Sequence, residues 1–398
     1  MKWEKVRLGD VTDSCLGKML DKAKNKGEYQ PYLANVDVRW GSFNLDDLSE
    51  MRFEDDEQER YGLKYGDLVI CEGGEPGRCA IWKDQIPNMK IQKALHRVRV
   101  HDCLDYRFLY YWFLLAGKTG ALEQYFTGTT IKHMPGEKLK SVLIDMPPIE
   151  VQRHIANILW VYDDLIENNQ KQIKLLEEAA QRLYKEWFID LRFPGHENVK
   201  IVDGVPEGWE VCKFSEIASI MSGGTPKTEV KEYYEGDIPF YTPKDSDGSF
   251  FVFDTITHIS EAGLEHCNSQ YYPEGTVIIT ARGTVGKTTI LAVPMAMNQS
   301  CYALKCDELN SPYYLFFSLN KEVDSLKTMA NGGVFNTIIV KTFDSISLTI
   351  PTQKVLSAFN AVVSSIMQQI KAKMKQNIHL AEARDRLLPK LMSGEIEV

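Results

Sequence analysis

One stretch of the sequence comes close to a nucleotide-binding motif. Residues 281–288 read Ala-Arg-Gly-Thr-Val-Gly-Lys-Thr and follow the apolar run 277–279, as a phosphate-binding loop follows a strand. In that motif a helix must begin at the lysine, so that its N-terminus faces the phosphates. The residues after Lys287 are largely β-branched and Pro294 ends the run, which favours a strand. A nucleotide-hydrolysing enzyme is therefore a hypothesis that a strand at this position would exclude.

Other patterns typical of catalysis or metal binding are missing from the sequence. There is no His-Glu-x-x-His and no Gly-x-Ser-x-Gly, and the eight cysteines include no Cys-x-x-Cys pair. Isolated histidines such as His133 and His258 are more often structural than catalytic. The sequence thus predicts a non-enzymatic protein with reduced thiols, no catalytic residue, no metal site and no cofactor bound by this chain.

The glycine-rich stretch has a counterpart in the first half of the chain, which indicates an internal repeat. The glycines and the basic residue of 74–78 recur at a constant offset in 283–287. Each half opens with Trp-Glu, at 3–4 and at 209–210, and each closes on a run that reaches a proline, at 147 and at 351. Matches in the same order along the whole chain predict a tandem duplication.

After each of these prolines the sequence changes to the pattern of a long helix. Apolar residues follow one another at alternating steps of four and three, which is typical of a coiled-coil seam. The residues predicted to form the helix-pairing seam are Ile155, Leu159, Tyr162, Ile166, Ile173, Leu176, Leu183 and Trp187 in the first helix, and Phe359, Val363, Ile366, Ile370, Leu380 and Leu387 in the second. The polar Asn169 and Asn377 lie in the seams and are candidates for setting their register. The alternative is that each helix packs on its own domain.

The predicted fold class is α+β, with two pseudo-repeated, mostly-β globular domains separated by two long antiparallel coiled-coil helices. Short β-branched and aromatic runs between Gly, Pro, Asn and Asp indicate the strands. The predicted segments are a first globular domain at 1–148, a first long helix at 149–193, a second globular domain at 194–350 that begins with a linker at 194–208, and a second long helix with a C-terminal tail at 351–398.

The charge of the chain argues against a nucleic-acid partner at first sight. The net charge is −9, and the acidity is concentrated in 194–350, which holds 20 Asp and Glu against 11 Lys and Arg. A partner that supplies part of the positive field would remove this objection. The sequence contains no signal peptide and no apolar run long enough to cross a membrane, which indicates a soluble cytoplasmic protein.

Several basic and small polar residues nevertheless lie on glycine-rich or loop-like segments in both halves. Such residues suit contacts to phosphates and base edges, because the backbone beside them can approach a groove closely. The candidates for DNA binding are Lys22, Lys24, Lys26, Arg78, Lys132, Thr225, Lys227, Arg282, Lys287 and Asn331. Each of them also has a simpler interpretation as a solvated surface residue.

Together these segments resemble the DNA specificity subunit of type I restriction-modification systems. The segments that carry the resemblance are Ser-Gly-Gly-Thr-Pro-Lys at 222–227, Gly-Asp-Ile-Pro-Phe at 236–240, Thr-Ala-Arg-Gly-Thr-Val-Gly-Lys at 280–287, Asn-Gln at 298–299, Gly-Thr-Thr-Ile-Lys at 128–132, Pro-Pro-Ile-Glu-Val-Gln at 147–152 and Leu-Leu-Pro-Lys-Leu-Met-Ser-Gly-Glu-Ile at 387–396. The sequence departs from the family in two places, since the first half lacks the Ser-Gly-Gly-Thr-Pro stretch and the second lacks the double proline.

The resemblance implies a non-catalytic reader of double-stranded DNA. Each globular domain would contact one half of a split, asymmetric target, and the helices would fix the gap between the halves. Modification subunits, two in number, would dock on the helices and transfer methyl groups from S-adenosylmethionine to adenine, and restriction subunits would hydrolyse ATP. S-adenosylmethionine, ATP and Mg²⁺ are thus expected on partner subunits, and no membrane is involved. The alternative is an acidic protein-binding adaptor of such a complex that reads no bases.

Overall fold

The chain folds into two compact units. The computed structural model describes residues 3–21, 25–306, 311–330 and 337–398, and for 324–330 it describes the backbone alone. Unit 1 comprises Met1–Ile166 and His379–Val398, and unit 2 comprises Glu167–Ile378. Each unit therefore combines a globular part with a portion of both long helices. The division into four successive segments stays a prediction, because the compact units follow a different boundary.

Unit 1 contains short strands together with helices that range from a single turn to the long helix α4. Its strands are β1 (Glu4–Arg7), β2 (Thr12–Leu16), β3 (Glu28–Leu33), β4 (Val38–Arg39), β5 (Ser42–Phe43), β6 (Glu50–Phe53), β7 (Leu68–Cys71), β8 (Cys79–Ile81), β9 (Lys90–Ile91), β10 (Leu95–Val100) and β11 (Leu143–Met146). Its helices are α1 (Gln58–Tyr61), α2 (Tyr106–Thr119), α3 (Gly136–Lys140) and the first part of α4 (Ile149–Tyr184).

The core of unit 1 lies between its central sheet and α2. The sheet has the order β2-β10-β7-β8, and every residue of β7 is buried, as expected for a four-residue apolar run. Asp105 caps α2 by accepting hydrogen bonds from the backbone N–H groups of Arg107 and Phe108, and Gly120 ends the helix with a φ of 72°. The aromatic run at 106–113, which has no strand-like alternation of apolar and polar residues, thus forms the first part of α2.

Unit 2 repeats this arrangement with its own residues. Its strands are β12 (Ile201–Val202), β13 (Val205–Pro206), β14 (Glu210–Lys213), β15 (Ser219–Ser222), β16 (Ile238–Tyr241), β17 (Phe251–Val252), β18 (His258–Ile259), β19 (Val277–Thr280), β20 (Thr288–Leu291), β21 (Ala296–Met297), β22 (Cys301–Lys305) and β23 (Ser347–Ile350). Its helices are the last part of α4, α5 (Phe214–Ile217), α6 (Glu261–Glu265), α7 (Pro312–Ala330), α8 (Val340–Phe343) and part of α9 (Gln353–Met392), whose last turns belong to unit 1.

Most strand pairings of unit 1 have a counterpart in unit 2, the exceptions in the described residues being β4–β5 in unit 1 and β12–β13 and β17–β20 in unit 2. The order β2-β10-β7-β8 of unit 1 matches β15-β22-β19-β20 of unit 2, where β17 extends the sheet. In unit 1, β3 pairs antiparallel with β6 and parallel with β9, and in unit 2, β16 pairs antiparallel with β18 and parallel with β21. Strands β1 and β11 pair as β14 and β23 do. Parallel pairing of two short strands is an uncommon detail, so its recurrence supports the duplication.

The two long helices are present close to the predicted bounds. The helix predicted at 149–193 is α4, which continues into a π-helical turn at Lys185–Ile189, and the chain leaves it at Leu191, which has a φ of 55°. The helix predicted from 351 is α9, which tolerates Pro389 in its last turn. No helix in the described ranges is long and apolar enough to span a membrane.

The seam residues lie on the packed sides of α4 and α9. None of the fourteen is exposed. In unit 2, Trp187 packs on Phe359 with ring centroids 5.9 Å apart, and Asn169 donates a hydrogen bond to Asn377 over 2.9 Å. Trp187 follows Asn169 along the first helix, whereas its partner Phe359 precedes Asn377 along α9. The two helices therefore run antiparallel within this unit. Both helices also pack on the globular part, as shown by the contact of Phe359 with Tyr314.

Candidate nucleic-acid interface

The glycine-rich stretch of unit 2 is a hairpin loop between two buried strands. Strands β19 and β20 are antiparallel, and the backbone N–H of Thr280 donates to the carbonyl of Lys287 over 2.9 Å. Gly283 and Gly286 both have a φ of 76°, a conformation that favours glycine. A strand, β20, follows Lys287 directly. The nucleotide-binding hypothesis is therefore wrong, because the helix that it requires is not there.

A second loop packs against the segment that follows β21. A Cβ atom added to Gly223 would lie 2.2 Å from the carbonyl oxygen of Asn298, so only glycine fits this close approach. Beside it, the hydroxyl of Thr225 contacts the side-chain oxygen of Gln299. The backbone of Ser300 then accepts a hydrogen bond from Ala281 over 2.7 Å. These contacts bring the 222–227 loop next to the base of the hairpin.

A third element of the same surface is the turn at 242–245. The carboxylate of Asp245 accepts a hydrogen bond from the backbone N–H of Thr242 over 2.8 Å, which closes a 3-10 turn. Pro243 lies 3.9 Å from the position of a Cβ atom on Gly283, so the turn touches the hairpin. Lys244 at the tip is exposed. We call the segments 222–227, 242–245, 281–287 and 298–300 the recognition loops of unit 2.

Unit 1 builds the same surface from its own segments. A Cβ atom on Gly17 would lie 2.3 Å from the carbonyl oxygen of Gln92, which repeats the close approach of Gly223. The carboxylate of Asp37 accepts from the backbone N–H of Ala34 over 2.7 Å, as Asp245 does in unit 2. We call the segments 17–18, 34–37, 72–78 and 91–93 the recognition loops of unit 1.

Sequence reasoning missed the turn that these loops share. The sequences Pro-Tyr-Leu-Ala-Asn-Val-Asp at 31–37 and Pro-Phe-Tyr-Thr-Pro-Lys-Asp at 239–245 match at their first and last residues. That match was available as a signal, but the three residues before each Asp differ, so the turn is recognised only from the structure. The exposed Lys244 and Gln299, and the half-buried Gln92, are therefore added to the candidate interface.

Arg78 does not project from its loop as the sequence suggested. Its side chain is only 17% exposed, and its Nη2 donates to both the backbone and the side-chain oxygen of Asn35, over 3.1 and 3.0 Å. Its Nη1 donates to Glu75 over 3.1 Å. These contacts hold the 34–37 turn against the 72–78 loop. A direct contact of Arg78 with DNA stays a prediction, and this geometry favours a role in supporting the loops.

The other predicted DNA-binding residues fall into two groups. Lys26, Lys132, Thr225, Lys227, Arg282 and Lys287 are exposed, whereas Lys22, Lys24 and Asn331 lie outside the described residues. Lys132 approaches Glu123 at 3.3 Å and borders a groove of about 550 Å³. Lys287 borders another cleft of about 550 Å³, whose wall includes Lys185 of the π-helical turn. Among the described residues, no group of His, Cys, Asp and Glu could hold a metal ion.

The profile of one protein family covers most of the chain. The profile described as "Type I restriction modification DNA specificity domain" matches residues 1–178 and again residues 206–377. The chain belongs to this family. As a type I DNA specificity subunit, it carries two DNA recognition domains, and it is a non-catalytic member of the restriction-modification system.

Individual relatives agree with the family assignment. The chain is 31% identical, over 84% of its own length and 78% of the relative, to the type I restriction enzyme MjaIX specificity subunit of Methanocaldococcus jannaschii. It is 26% identical to the HindI specificity subunit of Haemophilus influenzae, over 67% of this chain and 72% of the relative. The crystal structure of the type I S subunit from M. genitalium, 20% identical, shares the fold with a TM-score of 0.59 over 98% of this specificity subunit and 96% of that chain.

Proposed function

We propose that each unit reads one half of a bipartite, asymmetric DNA target through its recognition loops. The observation that carries this proposal is that both units bring together four corresponding loops by the same close approach and the same Asp-closed turn, with different side chains at the tips. The exposed tips are Val36 in unit 1 and Lys244 in unit 2. Loops with the same backbone arrangement and different exposed side chains are suited to reading two different half-sites.

In unit 2, where the acidity of the chain is concentrated, the exposed charges of the recognition loops are basic. In unit 2 the exposed charged groups of the loops include Lys227, Lys244 and Arg282, whereas Asp245 is engaged in closing its turn. The acidic residues of 194–350 thus leave a basic strip on the loops. Phosphate contacts depend on such local groups, and a methyltransferase partner bound to the same duplex would add to the positive field.

The helices α4 and α9 are proposed to act as a spacer between the half-sites. The antiparallel contacts of unit 2 have an equivalent in unit 1, where Arg384 donates to Asp163 over 2.5 Å. A paired rod resists bending more than a single helix does, because apolar seams on both helices are buried together. The spacing of the half-sites would then follow from the number of helical turns.

The partners of the subunit belong to the same proposal. Modification subunits, two of them, would bind the helical scaffold and methylate adenine, and restriction subunits would join the larger assembly. S-adenosylmethionine, ATP and Mg²⁺ would be bound by those partners. The names of the relatives, which describe specificity subunits of type I restriction enzymes, support the association with a restriction enzyme.

Alanine substitution in the hairpin tests the DNA contact. Arg282→Ala and Lys287→Ala are each expected to weaken DNA binding by the assembled complex, about tenfold to a hundredfold where the side chain contacts a base or phosphate. The measurement is filter binding over a range of salt concentrations. The control is Lys213→Ala, which removes an exposed lysine on β14 outside the recognition loops. Equal affinity and an equal salt slope in both hairpin variants would show that the hairpin does not contact DNA.

A further inference from the structure

A buried charged network joins the two long helices to the globular part in unit 1. Asp163 of α4 accepts a hydrogen bond from the hydroxyl of Tyr111 over 2.5 Å and pairs with Arg384 of α9. Arg384 also donates to Asp385 over 2.9 Å, and Asp385 pairs with Lys118 of α2. The side chains of Asp163 and Arg384 are 20% and 15% exposed. The ion pair of Asp163 and Arg384 therefore lies largely out of water, where each charge depends on its partner, whereas Lys118 at the edge of the network is 44% exposed.

The protonation equilibria agree with this description. Burial would lower the pKa of Arg384, but the charges of Asp163 and Asp385 outweigh it and raise that pKa. Burial and the neighbouring Asp163 both raise the pKa of Tyr111, so its hydroxyl stays protonated and can donate. Arg384 therefore stays charged and Tyr111 stays neutral, and both donate hydrogen bonds to the carboxylate of Asp163.

The positions of unit 2 that correspond to Asp163, Arg384 and Tyr111 are apolar. By the repeat, Asp163 corresponds to Met367, Arg384 to Ala180 and Tyr111 to Phe317. All three of these residues are buried, and all three belong to one apolar cluster. The contact between α4 and α9 is therefore charged in unit 1, at Asp163 and Arg384, and apolar at the corresponding positions of unit 2, Ala180 and Met367.

This difference changes what each repeat would meet if it paired with a copy of itself. In the described pairing Asp163 faces Arg384, whose counterpart in the first repeat is Ala180. Two first repeats would thus bury Asp163 against an alanine, and two second repeats would bury Arg384 against Met367. Each self-pair would leave two charges without their partner, and removing one partner of a buried pair is strongly unfavourable.

A second polar contact has the same directionality. Asn169 donates to the side-chain oxygens of Gln376 and Asn377, over 3.0 and 2.9 Å. The counterpart of Asn377 in the first repeat is Ile173, whereas the counterpart of Gln376 is Gln172. In a pair of two first repeats, Asn169 would therefore keep an amide acceptor at Gln172 but would lose the bond to Asn377, because an aliphatic side chain takes that position.

We propose that the Asp163–Arg384 network is a pairing-selectivity device, which makes the helix of the first repeat pair with that of the second repeat and not with a copy of itself. The partner that fits the helix surface around Asp163 is thus the helix of the second repeat, which carries Arg384. The proposal concerns helix pairing alone, so it stands or falls independently of DNA binding.

The test separates the two repeats after folding. A protease site inserted between Asp203 and Gly204 of the full chain cuts at an exposed hairpin turn, where a Cβ atom on Gly204 would have no neighbour within 4 Å. The purified, cleaved protein is unfolded in urea and refolded, and native mass spectrometry counts the three pairs. Random pairing gives self-pairs of the first repeat, mixed pairs and self-pairs of the second repeat in a ratio of about 1:2:1. For the natural sequence, we expect the mixed pair to exceed this ratio by about tenfold or more.

The variants identify the source of the selectivity. Asp163→Met, Arg384→Ala and the double variant, which places the residue types of Met367 and Ala180 in unit 1, are each expected to reduce the excess of mixed pairs by about tenfold. Circular dichroism shows which of them fold, and the double variant has no unpaired charge. The control Asp164→Met makes the same change at the adjacent, exposed position and keeps the excess. Random pairing of the natural sequence, or an undiminished excess in the folded double variant, would overturn the proposal.

Discussion

Phe359→Ala is expected to lower the free energy of unfolding of unit 2 by about 3–5 kcal/mol. Phe359 is fully buried and lies at the centre of an aromatic cluster formed by α4, α7 and α9. Its ring centroid lies 4.9 Å from that of Phe188 and 5.9 Å from that of Trp187. Alanine would leave a cavity at the point where both long helices meet the domain, and relaxation there is restricted by the surrounding rings.

Urea unfolding of the full chain measures this loss. Val362→Ala removes an exposed residue one turn away on the same helix and is expected to change stability by no more than about 0.5 kcal/mol. Phe359→Leu should fall between the two, since it keeps most of the buried volume. If Phe359→Ala unfolds at the same urea concentration as Val362→Ala, the cluster does not anchor the helices.

A paired heptad deletion is expected to change the target that the complete complex prefers. Removing 171–177 from α4 and 369–375 from α9 deletes facing segments in the antiparallel register and leaves Asn169 and Asn377 in place. At 1.5 Å per residue this shortens the rod by about 10 Å, equal to about three base pairs, and it rotates the flanking helix by only about 20°. The gap between the half-sites should shrink by that amount while both half-sites stay unchanged.

Binding to DNA duplexes with graded gaps measures this effect. Deletion from α4 alone serves as the control, because it shifts the seam of one helix against the other and should weaken assembly for every gap. An unchanged preferred gap in the paired deletion would show that the helices do not set the distance.

The elements with strong local periodicity could be predicted from the sequence. The long helices follow from a seam sustained from 155 to 187 and from 359 to 387, and α2 follows from an aromatic run without alternation. The strand after Lys287 follows from β-branched residues and a nearby proline. In each case the decisive residues are neighbours in the sequence.

The role of Arg78 could not be predicted in this way. A basic residue on a glycine loop has the same local sequence whether it points outward or inward, and its partner Asn35 lies 43 positions earlier in the chain. The network of Asp163 and Arg384 joins residues 221 positions apart, and the seam pattern contains no sign of it. Contacts of this kind depend on the packed fold, so only the structure reveals them.

Mapping methylated adenines in the genome of cells that contain the complete system tests the central claim most directly. Two reading units on one chain predict that every modified site consists of two different short sequences separated by a gap of constant length and variable composition. Methylation at a continuous or palindromic sequence would contradict the proposal that each unit reads its own half of the target.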